Sequence, residues 1–293
     1  MSSTSAEPKP TKLIIGGLEV FVFGLDALPS TGNTPVSVVF FAHGRLGSAV
    51  ESFRFCQDLY RNLTPTPTTN IRPLVVLFDQ RNHGSRLVSH KHNDAWKQGN
   101  PTHAWDMYAL QYGTAMDVSF LIDMLPGILH RDVERWGVCG ISLGGHATLL
   151  VMANEPRVTT GVAIIGCGDY LSLMTHRAGR MEPPIVLPPH SSTHMNEQLL
   201  RLLKEKDPVN RAAHFKGKSV LLLNGGADKL VPPECNHKLI ENLNGVFSDH
   251  GKNKFEVVVE QGVRHEVTDA MKSRCADWLN SWLNAREAGT SRM

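Results

Sequence analysis

Six continuous apolar runs, each ending in a polar turn, constrain the fold of this 293-residue chain more than any other feature. They are SVVFFAHG (37–44), PLVVLFDQR (73–81), RWGVCGIS (135–142), TTGVAIIGCG (159–168), KSVLLLNGG (218–226) and KFEVVVEQG (254–262). Strands that are apolar on both faces suit the interior of a parallel sheet covered by helices on each side. Helical patterns fall between them, at about 49–63, 105–127, 143–155, 233–244 and 267–284. The last places Met271, Cys275, Trp278, Leu279 and Trp282 on one stripe at helical spacing. Ahead of the runs, LIIGGLEVFVFGL (12–24) reads as two strands joined at Gly16-Gly17, an antiparallel start. Strand and helix in alternation specify an α/β fold.

Two stretches are too long for simple connections. Residues 168–217 carry the Pro-rich EPPIVLPP (182–189) and one short helical pattern, NEQLLRLLKE (196–205). A connection of that size is expected to form a small lid inserted after strand 6. A second polar excursion, 85–104, leaves the same end of the sheet, where open α/β folds hold their ligands. The domain is expected to span 12–284, between a disordered leader (1–11) and a C-terminal tail (285–293).

Composition removes several function classes. Lys plus Arg number 30 against 28 Asp plus Glu, a net charge of +2, which provides no general surface for phosphates and excludes nucleic acid as an expected partner. No run approaches eighteen apolar residues, so no membrane span is expected. The five cysteines (Cys56, Cys139, Cys167, Cys235, Cys275) include no CxxC pair and read as reduced, buried thiols of an intracellular protein. Cytoplasm is the expected compartment, or the peroxisome if the terminal Ser291-Arg292-Met293 acts as a variant of Ser-Lys-Leu.

The chemistry concentrates at three turns. Gly140-Ile141-Ser142-Leu143-Gly144 sits between a strand and a helix, where small neighbours let the chain double back and leave the Ser142 hydroxyl exposed. A serine needs a histidine base oriented by a carboxylate to act as a nucleophile. Asp228 stands in GGADKLVP (225–232) after the seventh strand, and His265 in GVRHEVT (262–268) after the eighth. Asp169 is an alternative acid, whereas Asp269 reads as a charge at a helix N-terminus. His43 and His83 are expected to hold loops by hydrogen bonds; His90, His92, His190 and His194 read as polar loop rather than metal ligands. An oxyanion would need two backbone donors, expected from the amides of Leu143 and Arg45. The Arg45 side chain is expected in solvent, with attraction of an anionic substrate as the alternative.

These motifs, together with HGRLGS (43–48), DQRNHGSR (79–86) and GCGDYLSLM (166–174), make the chain resemble the α/β-hydrolase superfamily over about residues 18–284. It looks closest to small carboxylesterases related to the catalytic domain of prolyl oligopeptidases. The resemblance implies an eight-stranded, mostly parallel sheet, with Ser142 as nucleophile, Asp228 as acid, His265 as base, and the Arg45 and Leu143 amides as the oxyanion hole. It implies hydrolysis of a small-molecule ester through an acyl-enzyme, with no cofactor and no metal. A thioesterase is the alternative, then a peptidase or a ligand-binding receptor without catalysis. The oligomeric state is left open.

Overall fold

The computed structural model describes residues 7–29, 34–64, 71–187, 193–248 and 254–285. Eight strands form one sheet: β1 (Thr11–Ile15), β2 (Leu18–Phe23), β3 (Val36–Ala42), β4 (Arg72–Phe78), β5 (Val133–Ile141), β6 (Val158–Ile164), β7 (Ser219–Gly225) and β8 (Phe255–Glu260). Their spatial order is β1-β2-β4-β3-β5-β6-β7-β8. β1 pairs with β2, and β2 with β4, antiparallel; every later pair is parallel. Gly16 and Gly17, at φ 58° and 82°, make the two-residue turn of the first hairpin, a conformation glycine reaches without strain.

Alternate residues of the central strands enter different cores. Val38 and Phe40 of β3 and Leu74, Val76 and Phe78 of β4 pack on one side. Val39 and Phe41, with Val75 and Leu77, pack on the other. Each such side chain is worth about 1.5–3 kcal/mol when fully buried, so both faces must be covered. α2 (His103–Leu129) and α3 (Leu143–Asn154) cover the first face. α1 (Phe53–Asn62) and α7 (Asp269–Leu283) cover the second through Cys56, Leu59, Met271, Cys275, Trp278 and Leu279. α6 (His237–Val246) adds Leu239 and Leu243 to the first face. All five cysteines are buried free thiols.

Residues 168–217 hold more helix than the pattern predicts. α4 (Tyr170–Gly179) precedes α5 (Glu197–Lys206), and a 3-10 segment follows at Pro208–Phe215. Leu173, Leu199 and Phe215 from these three pieces are fully enclosed in the larger core. α4 escaped the periodicity because its sequence, YLSLMTHRAG, is only weakly amphipathic. At the other end, Gln57 Nε2 donates to the Pro8 carbonyl at 2.9 Å, so chain within the expected leader is packed on α1. Residues 1–6, His190 and Ser291-Arg292-Met293 lie outside the described residues. Among the described residues, no helix is long and apolar enough to cross a membrane.

Candidate active site

β5 ends at Ile141 and α3 begins at Leu143, so Ser142 alone turns the chain, at φ 54° and ψ −110°. L-residues rarely occupy that conformation, and it persists where the surroundings over-determine it. The Ser142 amide donates to the Ile164 carbonyl (2.9 Å), and the Ser142 carbonyl accepts from the His146 amide (3.0 Å). The flanking glycines make the approach possible. A Cβ on Gly144 would run into the Ala42 carbonyl at the end of β3, and one on Gly140 into the Gly144 backbone.

The loops after β7 and β8 are stitched together beside this turn. Gly226 donates to the Glu260 carbonyl and Ala227 to the Val263 carbonyl, both at 2.8 Å. A Cβ on Gly225 would strike the backbone of Val263 and Arg264, so glycine is required for the two loops to meet. The result brings all three sequence-selected side chains together. Ser142 Oγ lies 2.9 Å from His265 Nε2, and His265 Nδ1 lies 2.7 Å from Asp228 Oδ2. The other carboxylate oxygen, Oδ1, accepts from the amides of Leu230 (2.8 Å) and Val231 (2.9 Å).

Charge fixes the direction of these bonds. Burial opposes ionisation of Asp228, but bonding to His265 and the two amides outweighs it and holds the carboxyl below its ordinary range. An ionised carboxylate only accepts, so His265 Nδ1 donates to it. In the neutral ring Nε2 is then left as an acceptor, facing the Ser142 hydroxyl. Asp228 has a side chain 1% exposed while His265 is 23% exposed, so the carboxylate is sealed and the imidazole is partly open to solvent.

The competing carboxylates have other work. Asp169 caps α4, accepting from the Ser172 amide at 3.0 Å. Asp269 sits exposed in the first turn of α7, paired with Lys272. His43 takes the Gln80 amide on Nε2 (3.1 Å) and reaches the Gly44 carbonyl from Nδ1 (2.8 Å); His83 Nδ1 reaches the Arg81 carbonyl (2.9 Å). His90 and His92 lie exposed in a 3-10 turn. One expectation fails: the Arg45 side chain is half-buried, not in solvent, and donates from Nη1 to the Asn93 carbonyl at 2.7 Å. The excursion 85–104 folds back and supplies that acceptor.

As for the two expected backbone donors, Leu143 is the first residue of α3, so its amide has no acceptor within the helix. Arg45 stands in a turn closed by Gly47 donating to the Gly44 carbonyl (3.2 Å). That turn leads from Ala42 and His43, which lie against the first turn of α3.

Sequence reasoning missed His146, one turn along α3 from Ser142, and His103 at the start of α2. His146 Nδ1 accepts from the Cys167 amide (2.7 Å) and His103 Nδ1 reaches the Asp94 carbonyl (2.9 Å). A histidine four residues after the serine is the one signal that could have drawn attention to His146. Burial pushes His43 down to about 4, and His103 and His146 each down to about 3, with nearby Arg177 adding to the last two. The unfolded chain takes up those protons near pH 6.5 and the folded chain does not, so stability is lost as pH falls below that value. Three such groups remove on the order of 5 kcal/mol between pH 7 and pH 5. Asp169 and Asp207, both raised by burial, act in the opposite sense and reduce the net loss. Urea midpoints at pH 7 and pH 5 are expected to lie closer together in His146→Gln than in the wild type; an unchanged gap would exclude His146 as a contributor.

Known proteins share this architecture. The chain is 25% identical over 244 residues to Esterase YjfP of Escherichia coli strain K12, covering 80% of this chain and 85% of the relative. The structure of TT1662 from Thermus thermophilus superposes with a TM-score of 0.69 at 21% identity, covering 95% of this chain and 99% of that one. Pyrococcus furiosus esterase Pf2001 superposes with a TM-score of 0.56 at 20% identity, covering 95% and 93%. The model of the prolyl oligopeptidase family (Peptidase_S9) matches residues 108–286, more than half of the chain and a span that holds Ser142, Asp228 and His265. The chain therefore belongs to the prolyl oligopeptidase family, and it is a serine hydrolase of the α/β-hydrolase fold.

Proposed function

We propose that this protein hydrolyses small carboxylic esters through an acyl-enzyme formed on Ser142. The supporting observation is the relay of 2.9 Å and 2.7 Å from Ser142 through His265 to Asp228. As Oγ attacks the ester carbonyl, its proton passes to His265 Nε2, and Asp228 stabilises the resulting imidazolium. The oxyanion rests on the amides of Leu143 and Arg45, the former aided by the positive end of α3. Collapse of the tetrahedral species expels the alcohol, which takes the proton from Nε2. Water then enters by the same route, giving its proton to His265, and the carboxylic acid leaves while Ser142 is restored. α4 is the part of 168–217 that we assign to the lid, since Arg177 on it donates to the Leu230 carbonyl, two residues from Asp228. The name of the Escherichia coli relative as an esterase supports ester over peptide as the bond cleaved.

A fluorophosphonate probe tests the reading, because it labels a serine only where a base activates it. Stoichiometric labelling, together with turnover of p-nitrophenyl esters from acetyl to palmitoyl, is the expected result, and the best chain length sizes the acyl site. Acyl-CoA turned over much faster than every ester would replace the ester assignment with a thioester one. No labelling and no turnover would overturn the reading altogether.

A further inference from the structure

The loop that carries Arg45 is clamped by a residue outside the triad. β3 and β4 run parallel with Phe41 opposite Leu77, so the chain leaves both strands at the same level of the sheet. His43 is the first residue after β3 and Gln80 the second after β4, and both are buried. Two bonds join them. The Gln80 backbone amide donates to His43 Nε2 at 3.1 Å, and Gln80 Nε2 donates to the His43 carbonyl. The second bond fixes the orientation of the Gln80 side chain, because its oxygen turned to that carbonyl would set two acceptors together. The oxygen faces instead the Thr114 hydroxyl of α2, 3.1 Å away.

These bonds decide which nitrogen of His43 carries the proton. A backbone N–H only donates, so Nε2 accepts, and in the neutral ring the proton sits on Nδ1. Nδ1 therefore donates to the Gly44 carbonyl at 2.8 Å, which also accepts from the Gly47 amide at 3.2 Å. That carbonyl belongs to the same peptide group as the Arg45 N–H. The group is trans and planar, with its C=O and N–H opposed, so fixing one end sets the direction of the other. The loop also lies against the nucleophile turn. A Cβ on Gly144, the second residue of α3, would run into the carbonyls of both Ala42 and His43.

Resting on the serine-esterase reading with the Arg45 amide as an oxyanion donor, we infer that Gln80 is a positioning residue for the oxyanion hole, acting through His43. Its side chain pins the His43 carbonyl, and its backbone N–H sets the ring that holds the Gly44–Arg45 peptide. The arrangement repeats the logic of Asp228 and His265, in which a buried partner fixes the tautomer of an imidazole. Here the proton of the ring stays in place and orients a peptide. A donor aimed in advance at the developing oxyanion favours the transition state over the bound ester. Loss of the clamp therefore falls on kcat and spares KM.

Gln80→Met keeps the length of the side chain and removes its amide. It should lower kcat for p-nitrophenyl esters by roughly 10²-fold, the size expected for a small misplacement of a reacting group, with KM little changed. Two inhibitors of one shape read the oxyanion directly. An alkyl trifluoromethyl ketone takes Ser142 Oγ on its carbonyl carbon, passes the serine proton to His265 and leaves its own oxygen as an oxyanion. The corresponding trifluoromethyl alcohol cannot be attacked. Gln80→Met should weaken the ketone by the same factor as kcat and leave the alcohol unchanged. Thr114→Val takes the hydroxyl from the Gln80 oxygen and should show the same split at smaller size, and Thr114→Ser should restore it. Wild-type kcat and ketone affinity in a folded Gln80→Met would overturn the inference and leave the esterase reading intact. Equal weakening of ketone and alcohol, with KM raised, would also overturn it, since Gln80 would then only support the pocket. Should Gln80→Met fail to fold, the Thr114 pair decides, and the absence of a split in Thr114→Val overturns the inference. A wild type that turns over no ester and binds the ketone no better than the alcohol would bring down the esterase reading and this inference with it.

Discussion

Ser142→Ala should lose ester turnover by roughly 10⁶-fold in kcat while keeping its fold. The magnitude follows from what Oγ does here. It sits 2.9 Å from His265 Nε2, and no other hydroxyl or thiol among the described residues is bonded to that nitrogen. Removing it takes away the nucleophile, so what would survive is stabilisation by the proposed oxyanion donors, the amides of Leu143 and Arg45, of attack by water. The fold should be spared because the turn at φ 54° is imposed by backbone bonds to Ile164 and His146, which alanine retains. Those bonds and the glycine contacts around them involve no atom of the serine side chain. Stopped-flow hydrolysis of p-nitrophenyl acetate, with thermal unfolding as the control, measures both halves of the claim. A variant with wild-type turnover would show that the esterase chemistry lies elsewhere. A variant that unfolds would show that the hydroxyl has a structural part that the hydrogen bonds do not reveal.

The sequence and the structure agree most where local rules decide the outcome. Runs apolar on both faces must be buried on both faces, so β3 to β7 were readable, as was the Gly16-Gly17 hairpin; β8 pairs parallel to β7 as expected but is an edge strand, half-exposed along its length. That Ser142, Asp228 and His265 would meet was readable for a related reason: each follows a strand at a turn loosened by glycine. What could not be read depends on neighbours distant in sequence. Arg45 looks solvent-exposed in HGRLGS, and becomes half-buried because Asn93, 48 residues on, turns its carbonyl inward. Arg177 has no signal of its own in the sequence; α4 sets it against the Leu230 carbonyl. The order of the sheet, with β4 between β2 and β3, likewise has no local signature. Asp169 is intermediate. Its spacing to Ser172 is that of a helix cap, and this would have named its role and removed it as an acid.

Asp228→Asn should cut kcat by roughly 10⁴-fold with little change in KM. Asparagine keeps the size of the side chain and can still accept from the Leu230 and Val231 amides, so the loop should hold. Its amide group, however, would turn an N–H toward His265 Nδ1, where the native carboxylate accepts at 2.7 Å. The ring answers by placing its own proton on Nε2, the nitrogen that must accept from Ser142. Such an enzyme is folded, binds substrate, and carries its base in the wrong tautomer. Fluorophosphonate labelling depends on the same proton transfer and should slow by a comparable factor. Asp169→Ala is the control, because it removes a cap worth about 1 kcal/mol and touches neither Ser142 nor His265. A large kinetic loss in Asp169→Ala alongside a mild one in Asp228→Asn would exchange their roles. The buried carboxylate held by two amides and one imidazole would then be a loop anchor, and the orientation of His265 would need another source.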